Sequence, residues 1–292
     1  MFIETILEKA YAKLNISLDV ISKRPDGYHD MRMVMQSVSL CDDVAVSLRD
    51  DGAVNVCTNL HFLPSDDRNI AVKAAKAFFS KLGRKDVGAD ISIFKRVPVC
   101  AGMGGGSADG AAVLRALNIL MGKPFSRVEL ESLGATLGSD IPFCVSGGTS
   151  LAEGRGEALS ELPPFPNCLF VIVKPKFSVS TPELFSKIDL VSVKYHPDTQ
   201  GLVTSLKSGD LKGVCRRMYN VFEDVLPTKP NDIPKIKSFL LDSGALGAVM
   251  TGTGSAVFGI FDDENKARHS FNLLSERYRE VFIAEPQGLI SI

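Results

Sequence analysis

A cluster of glycines in residues 95–118, KRVPVCAGMGGGSADGAAVLRALN, is the strongest chemical signal in the chain. Four glycines fall within five positions: Gly102, Gly104, Gly105 and Gly106. Glycine reaches backbone angles that other residues resist, so consecutive N–H groups can point at one ligand. Ser107 is the predicted N-cap of a following helix, whose dipole and unpaired N–H groups also favour an anion. The pattern therefore predicts a phosphate site.

This loop differs from two common nucleotide-binding patterns. A Walker A loop, GxxxxGK[ST], requires a lysine that is missing here. A Rossmann fingerprint requires a strand that ends in an acidic residue about 20 residues later, and none follows. A glycine-rich turn before a helix can also be purely structural, and that alternative stays open for the loop taken alone.

Two aromatic residues and a histidine could hold a flat ring. Tyr28 and His29 follow the turn signal Pro25-Asp26-Gly27, and Phe185 lies in the second half of the chain. An aromatic ring on each face of a base contributes about 1–3 kcal/mol per base, and His29 can hydrogen-bond a pyrimidine edge. The alternatives are a turn aromatic for Tyr28 and a satisfied surface histidine for His29.

Strands and helices must position these residues. Alternating or continuous apolar residues predict strands at residues 11–22, 32–48, 53–58, 89–97, 169–173 and 256–261. Helical spacing predicts helices at residues 70–82, 107–120 and 126–137. Asn69 is a predicted N-cap, and Ser126 with Glu129 forms a capping-box pattern. The elements mix without regular βαβ alternation, which favours an α+β fold.

The segment LPPFPN, residues 162–167, is the best candidate for a domain boundary. Its three prolines resist helix and central strand. A chain of 292 residues fits two domains of about 100–200 residues each. We therefore predict one domain at residues 1–163 and another at residues 164–292.

Composition argues against several classes of protein. The chain is 45% hydrophobic and 23% charged, and its net charge of -1 gives no basic field for nucleic acid or acidic membranes. Six cysteines form no CxxC pair or zinc spacing, which favours reduced core cysteines in a cytosolic protein. No apolar run reaches the roughly 18–20 residues of a membrane span, and the N-terminus resembles no targeting signal. We expect a cytoplasmic protein without nucleic-acid or membrane partners.

Three motifs together resemble those of the GHMP kinases. The run P-x-x-x-G-M-G-G-G-S, from Pro98 to Ser107, resembles the phosphate-binding motif of that family. AYAKLNISLDV at residues 10–20 resembles its first motif, and MTGTGSAVFGIF at residues 250–261 resembles its third. The motifs occur in the family's order, and the resemblance covers essentially the full chain. It implies a first domain like ribosomal protein S5, a second α+β domain, and ATP bound between them.

The resemblance also implies catalytic roles. Asp140, in Gly138-Ser139-Asp140-Ile141-Pro142, stands where the family has its catalytic aspartate, and Lys13 stands where a partner lysine is expected. The residues alone leave open a helix-capping aspartate, with Pro142 ending the helix before it, and an exposed strand lysine. Mg²⁺ should accompany ATP and bridge its β- and γ-phosphates, but the sequence does not indicate the protein ligands of the metal.

Binding residues are assigned by the same resemblance. The predicted nucleotide contacts are Asn69, Lys95, Pro98, Gly102, Gly104, Gly105, Gly106 and Ser107. The predicted acceptor contacts are Asn15, Tyr28, His29, Thr181 and Phe185. Ala-Lys-Leu-Asn followed by Gly-Tyr-His resembles the branch whose small-molecule acceptor carries a cytidine base. The turn TGTGS, residues 251–255, is expected either to lie near the phosphates or only to permit close backbone approach.

Two other functions remain as alternatives. Another GHMP kinase, acting on mevalonate, homoserine or phosphomevalonate, would call for an Arg or Lys cluster in place of the aromatic residues. A regulator that kept the fold and lost catalysis would be expected to lose Asp140 or Lys13, and both are present. Oligomeric state, monomer or dimer, is left open.

One departure from the family pattern follows Ser107. The family often reads GGGSSNAA, whereas this chain has Ala108, Asp109 and Gly110. One hydroxyl donor to phosphate is lost. The Asp109 charge would repel a phosphate unless it meets Mg²⁺ or points away along the helix.

Overall fold

The computed structural model describes residues 4–190, 193, 195–226 and 232–292. The strands are Thr5–Lys23 (β1), His29–Arg49 (β2), Val54–Thr58 (β3), Gly88–Phe94 (β4), Thr149–Gly154 (β5), Ala158–Glu161 (β6), Leu169–Lys174 (β7), Tyr219–Asn220 (β8), Gly247–Met250 (β9), Val257–Phe261 (β10) and Glu280–Ala284 (β11). The helices are Ile70–Leu82 (α1), Gly105–Leu120 (α2), Arg127–Ala135 (α3), Ile141–Ser146 (α4), Thr181–Leu190 (α5), Thr199–Lys207 (α6), Leu211–Cys215 (α7), Ile233–Asp242 (α8) and Glu264–Ser275 (α9), with a 3-10 helix at Val221–Val225. This mixture confirms the predicted α+β fold.

The first sheet is built on a long antiparallel ribbon of β1 and β2. The ribbon runs from Thr5 opposite Ser47 to Lys23 opposite His29. The connecting turn contains Gly27 at φ 86°, as the Pro-Asp-Gly signal predicts. The strand order is β3-β4-β2-β1-β8, and β5 pairs with β2 and with β6. Lys13 and Asn15 thus lie in an interior strand.

Helices α1 and α2 pack against this sheet and against each other. Asn69 caps α1, because its Oδ1 accepts from the Ala71 backbone N–H at 3.0 Å, and this confirms the predicted cap. In the middle of α2, the buried Arg115 joins three elements. Its Nε donates to Glu8 of β1 at 2.8 Å, and its Nη1 donates to the Cys144 carbonyl of α4 at 2.8 Å. These bonds fix α2, which begins at the glycine loop, to the sheet.

The second sheet is fully antiparallel, with the order β11-β7-β10-β9. It begins at Leu169, after the proline-rich segment, which contains no strand. Several connections join the second part of the chain to the first: β8 pairs in parallel with β1, and the C-terminal segment bridges Val38 through Pro286 and Gly147 through Leu289. The division at residues 163 and 164 stays a prediction.

Several local predictions are wrong in detail. The helix after the glycine loop begins at Gly105 with Gly104 as N-cap, so Ser107 lies inside its first turn. Pro142 lies in the first turn of α4, where a missing N–H costs nothing, so it begins a helix. Strand β5, in the glycine-rich stretch after α4, was not predicted. Its short apolar alternation lies between glycines, which weaken the strand pattern in the sequence, and the strand pairs with β2.

The predicted helix at residues 126–137 ends earlier, at Ala135, and its capping box between Ser126 and Glu129 is confirmed. The cysteines are all unpaired. Cys144 and Cys215 are buried, but Cys57 and Cys100 are exposed, so the expectation of core cysteines is wrong for those two. No helix in the described part of the chain is long and apolar enough to cross a membrane.

Candidate functional site

The glycine loop, residues 95–104, joins β4 to α2 and takes backbone angles that require glycine. Gly102 and Gly104 have φ of 76° and 68°. A Cβ on Gly102 would lie 2.1 Å from the Thr251 carbonyl oxygen, and a Cβ on Gly104 would lie 3.1 Å from Lys13 Cγ. The loop is therefore pressed between β1 and the turn at residues 251–255. That turn both permits close backbone approach and lies against the loop.

With Gly104 as its N-cap, the N-terminus of α2 suits an anion better than it would with a serine cap. Gly104, its N-cap, contributes no side-chain hydrogen bond. The first-turn N–H groups consequently have no capping side chain and can point to a ligand. Ser107 is left to offer its hydroxyl from inside the turn, beside the loop.

Two cavities meet at this loop. One, of about 370 Å³, is lined by all the predicted nucleotide contacts: Asn69, Lys95, Pro98, Gly102, Gly104, Gly105, Gly106 and Ser107. The other, of about 620 Å³, is lined by the predicted catalytic and acceptor residues: Lys13, Asn15, Tyr28, His29, Asp140, Thr181 and Phe185. Gly102, Gly104 and Ser107 line both. We call these the loop cavity and the acceptor cavity.

The predicted catalytic pair lies where the two cavities join. Lys13 is almost fully buried, with Nζ 2.6 Å from Asn15 Oδ1 and 3.7 Å from Asp140 Oδ2. Asp140 precedes α4 but its side chain makes no capping bond, which removes the helix-capping alternative. Its side chain is 34% exposed, so the carboxylate is accessible from the acceptor cavity. A lysine and an accessible carboxylate at this distance can act together on a hydroxyl group.

Asn15 is fully buried and lines the acceptor cavity. Its side chain accepts from Lys13 Nζ, and its backbone N–H donates to Thr251 Oγ1 at 3.0 Å. Thr251 Oγ1 in turn donates to the Gly102 carbonyl at 3.2 Å. The first motif, the glycine loop and the third motif are thereby joined by one chain of hydrogen bonds.

The aromatic end of the acceptor cavity differs from the predicted pair of Tyr28 and Phe185. His29 stacks on Phe185, with ring centres 4.6 Å apart and planes at 26°. Phe222 meets Phe185 edge-on at 5.0 Å. Tyr28 is 56% exposed, and the Arg155 guanidinium lies 5.1 Å from its ring centre. The three predicted aromatic and histidine residues share one cavity, but His29 is the ring stacked on Phe185.

A buried cluster of Asp42, Lys95 and Asp109 supports the glycine loop. Lys95 Nζ donates to Asp42 Oδ2 at 2.5 Å and to Asp109 Oδ2 at 2.6 Å. Asp42 Oδ1 also accepts from the backbone N–H of Val97 at 2.7 Å. Asp109 Oδ2 thus pairs with Lys95, whereas Asp109 Oδ1 is buried beside the loop cavity with no hydrogen-bond partner among the described residues. The Lys95 ammonium is likewise engaged by protein carboxylates beside the loop cavity.

Asp42 was missed in the sequence, although a signal existed. It stands two and four residues before Val44 and Val46, on the face of β2 that is buried. A carboxylate on a buried face needs a cationic partner, and Lys95 on the neighbouring strand edge supplies it.

Two carboxylates around one ammonium leave a buried excess of negative charge. Burial raises the pKa of Asp109 to about 7, although Lys95 opposes this. Burial also disfavours the Lys95 charge, but the two carboxylates outweigh it and raise the pKa of Lys95. Asp109 therefore holds a proton more readily when the protein is folded.

Asp109→Asn is expected to remove a pH-dependent loss of stability. Its pKa rises from 3.8 to about 7 on folding, so the native state binds more protons between these values. Wild-type stability then falls as pH rises through this window, by up to about 1.4 kcal/mol per pH unit from this group, and the loss is complete above it. The variant should gain relative to wild type from pH 4 to pH 8 in denaturant unfolding.

Asp86→Asn is the matched control. Asp86 is exposed, and its hydrogen bonds to Arg84 lower its pKa to about 2, so it should give no such gain. Parallel pH profiles for wild type and Asp109→Asn would contradict the interpretation of the cluster.

Comparison with known proteins identifies the family. Residues 69–148 match the family model described as GHMP kinases N terminal domain, and residues 202–279 match GHMP kinases C terminal. The chain belongs to the GHMP kinase family. It is a kinase, and its glycine loop lies within the part matched by the N-terminal family model.

Curated relatives are similar over nearly the whole chain. The chain is 42% identical to a Clostridium perfringens protein named 4-diphosphocytidyl-2-C-methyl-D-erythritol kinase, over 93% of this chain and 94% of that one. A Clostridium acetobutylicum protein of the same name is 43% identical, over 94% and 98%.

Solved structures agree with the family. A crystal structure of 4-(cytidine 5'-diphospho)-2C-methyl-D-erythritol kinase matches with a TM-score of 0.81 at 27% identity, over 97% of this chain and all of that one. Homoserine kinase from Cytophaga hutchinsonii matches with a TM-score of 0.76 at 20% identity, over the full length of both chains, which supports the GHMP kinase fold alone.

Proposed function

We propose that this GHMP kinase transfers the γ-phosphate of ATP to the 2-hydroxyl of 4-diphosphocytidyl-2-C-methyl-D-erythritol, in the non-mevalonate route to isoprenoid precursors. The observation that carries the proposal is the pair of cavities sharing Gly102, Gly104 and Ser107, with Lys13 and Asp140 where they join. Relatives of that name at 42% identity support this acceptor over the others in the family.

ATP fits the loop cavity through its phosphates. The N–H groups of the glycine loop and of the first turn of α2 hold negatively charged oxygens beside Ser107. The buried cluster of Lys95, Asp42 and Asp109 holds that loop in place. Asn69 lines the same cavity, but its side chain caps α1 and donates to the Pro64 carbonyl at 2.8 Å. Its backbone N–H and carbonyl are hydrogen-bonded to Asp66 and Lys73, so its contact with the nucleotide is proposed as van der Waals packing.

The acceptor fits the other cavity from the catalytic pair to the aromatic end. Asp140 takes the proton of the attacking hydroxyl, and Lys13 stabilises negative charge on the oxygen and on the transferred phosphoryl group. The cavity wall aligns the hydroxyl with the phosphate, which contributes most in phosphoryl transfer. At the other end, Phe185 and His29, with Tyr28 and Thr181, hold the cytosine ring.

Magnesium fits this arrangement as an ion held mainly by the nucleotide. The described residues contain no group of three or more His, Cys, Asp or Glu side chains suited to a metal. Mg²⁺ keeps several waters and uses few protein oxygens when phosphates are present, and Ser107 could supply one from the shared wall. When bound, the ion neutralises charge that develops between the β- and γ-phosphates.

The test of the proposal is an ADP-release assay with ATP, Mg²⁺ and a panel of acceptors. The panel contains diphosphocytidyl-methylerythritol, mevalonate, homoserine and galactose. We expect ADP only with the cytidylyl compound. Release with mevalonate, homoserine or galactose instead would overturn the acceptor while keeping the kinase assignment.

Phe185→Ala is expected to raise KM for the cytidylyl acceptor by about ten-fold or more, since a stacked base contributes about 1–3 kcal/mol. KM for ATP should stay near wild type, because Phe185 lines only the acceptor cavity. Phe62→Ala is the control, since that ring is 73% exposed and lines neither of these cavities. Equal changes in both KM values would argue against the stacking role.

A further inference from the structure

Arg155 is a charged residue of the acceptor cavity that the proposed reaction has not used. It lies in the turn between β5 and β6, and its side chain is 34% exposed. Its guanidinium is held over the Tyr28 ring, with the central carbon 5.1 Å from the ring centre. An arginine stacked on an aromatic ring keeps its N–H groups in a fixed plane, ready for an anion.

Two carboxylates lie near Arg155, and one of them, Glu157, forms an ion pair with its guanidinium that is longer than a hydrogen bond. Glu157 is the acidic neighbour in the same turn, and its Oε1 is 3.7 Å from Arg155 Nε, beyond hydrogen-bonding distance. Glu157 Oε2 instead accepts from the backbone N–H of Arg155 at 2.8 Å, which fixes the turn. The Arg155 charge also helps to lower the pKa of Asp26, but the Asp26 carboxylate accepts a hydrogen bond from Arg24 Nε at 3.1 Å.

The proposed acceptor carries a diphosphate between its base and its sugar alcohol, as the names of the relatives state. That anion must lie between the aromatic end and the catalytic pair. Among the described residues that line the acceptor cavity, Lys13 and Arg155 are the lysine and arginine side chains. Lys13 is held by Asn15 and Asp140 at the catalytic end. Arg155, beside Tyr28, is at the aromatic end.

We infer that Arg155 binds the diphosphate of the acceptor while stacked on Tyr28. The inference rests on the proposed function and adds an anion subsite to it. A guanidinium can hold two phosphate oxygens through parallel N–H groups, which a lysine cannot reproduce. The subsite would also connect recognition of the base to recognition of the diphosphate, since Tyr28, proposed to hold the base, also stacks on the Arg155 guanidinium.

The experiment compares inhibition by CDP and by cytidine in wild type and in Arg155→Gln. Both probes present the base, but only CDP presents the diphosphate, so the ratio of their inhibition constants isolates the anion contact. Wild type should bind CDP at least about ten-fold more tightly than cytidine, as expected for charge-assisted hydrogen bonds. Arg155→Gln should lose that preference and keep its affinity for cytidine. KM for ATP should not change.

Further variants separate the possible outcomes. Arg155→Lys should restore only part of the CDP preference, because it keeps the charge without the planar fork. Arg32→Gln is the matched control, since Arg32 lies on β2 and pairs with Glu153 of β5, next to the turn that holds Arg155, but does not line the acceptor cavity. An unchanged ratio in Arg155→Gln, or equal weakening of CDP and cytidine, would overturn the inference. If neither probe inhibits wild type and the cytidylyl acceptor gives no turnover, it is the proposed function that fails.

Discussion

Asp140→Asn is expected to lower kcat by about 10²–10⁴-fold while ATP still binds. Asparagine keeps the shape of the side chain but cannot take the proton of the attacking hydroxyl. The carboxylate makes no helix-capping bond, so its replacement should leave α4 intact. ATP is proposed to bind in the loop cavity, which Asp140 does not line. The measurements are kcat from ADP release and the Kd for ATP from titration calorimetry.

Asp86→Asn is again the control, because Asp86 is exposed and lines neither the loop cavity nor the acceptor cavity. It should have wild-type kcat and ATP affinity. Turnover of Asp140→Asn near the wild-type rate would show that the hydroxyl loses its proton by another route. Loss of ATP binding along with turnover would instead indicate that Asp140 supports the nucleotide site.

Gly102→Ala is expected to weaken ATP binding by much more than the backbone strain of an alanine at this position would. An added Cβ would lie 2.1 Å from the Thr251 carbonyl oxygen and 3.0 Å from the Gly254 backbone nitrogen, neither of which can move as a side chain would. The loop and the turn at residues 251–255 must separate, which disturbs the N–H groups that are proposed to bind the phosphates. We expect the Kd for ATP to rise by about 100-fold or more, the equivalent of about 3 kcal/mol.

Gly122→Ala is a closely matched control for this variant. Gly122 has φ of 77°, almost the same as the 76° of Gly102, but nothing lies within 4 Å of an added Cβ. Both variants carry the same left-handed strain, about 1 kcal/mol. Only Gly102→Ala also creates a backbone collision. Similar ATP affinities for the two variants, measured by calorimetry, would mean that the close approach of loop and turn does not matter for the nucleotide.

The sequence determined the α+β fold and the family because these depend on local patterns. Alternating apolar residues give strands, and a glycine run before a helix is a local arrangement of backbone N–H groups. The strands and helices as far as Ala135 were therefore predictable, with errors at their ends, whereas β5, β6, β9, β11 and the helices from α4 onward were not placed. The cap of α2 was misplaced from Gly104 to Ser107, because a glycine in the left-handed conformation can begin a helix without any side-chain bond.

Only the tertiary structure decided which distant residues come into contact. Nothing in the sequence indicates that the Gly102 carbonyl accepts from Thr251, 149 positions away, or that Lys95 lies between Asp42 and Asp109. The stacking of His29 on Phe185 likewise depends on how α5 packs against β2. Such contacts result from burial and close packing between distant segments, which constrain shape and charge in three dimensions. The sequence therefore supplies the chemical groups, whereas tertiary packing sets their distances and their partners.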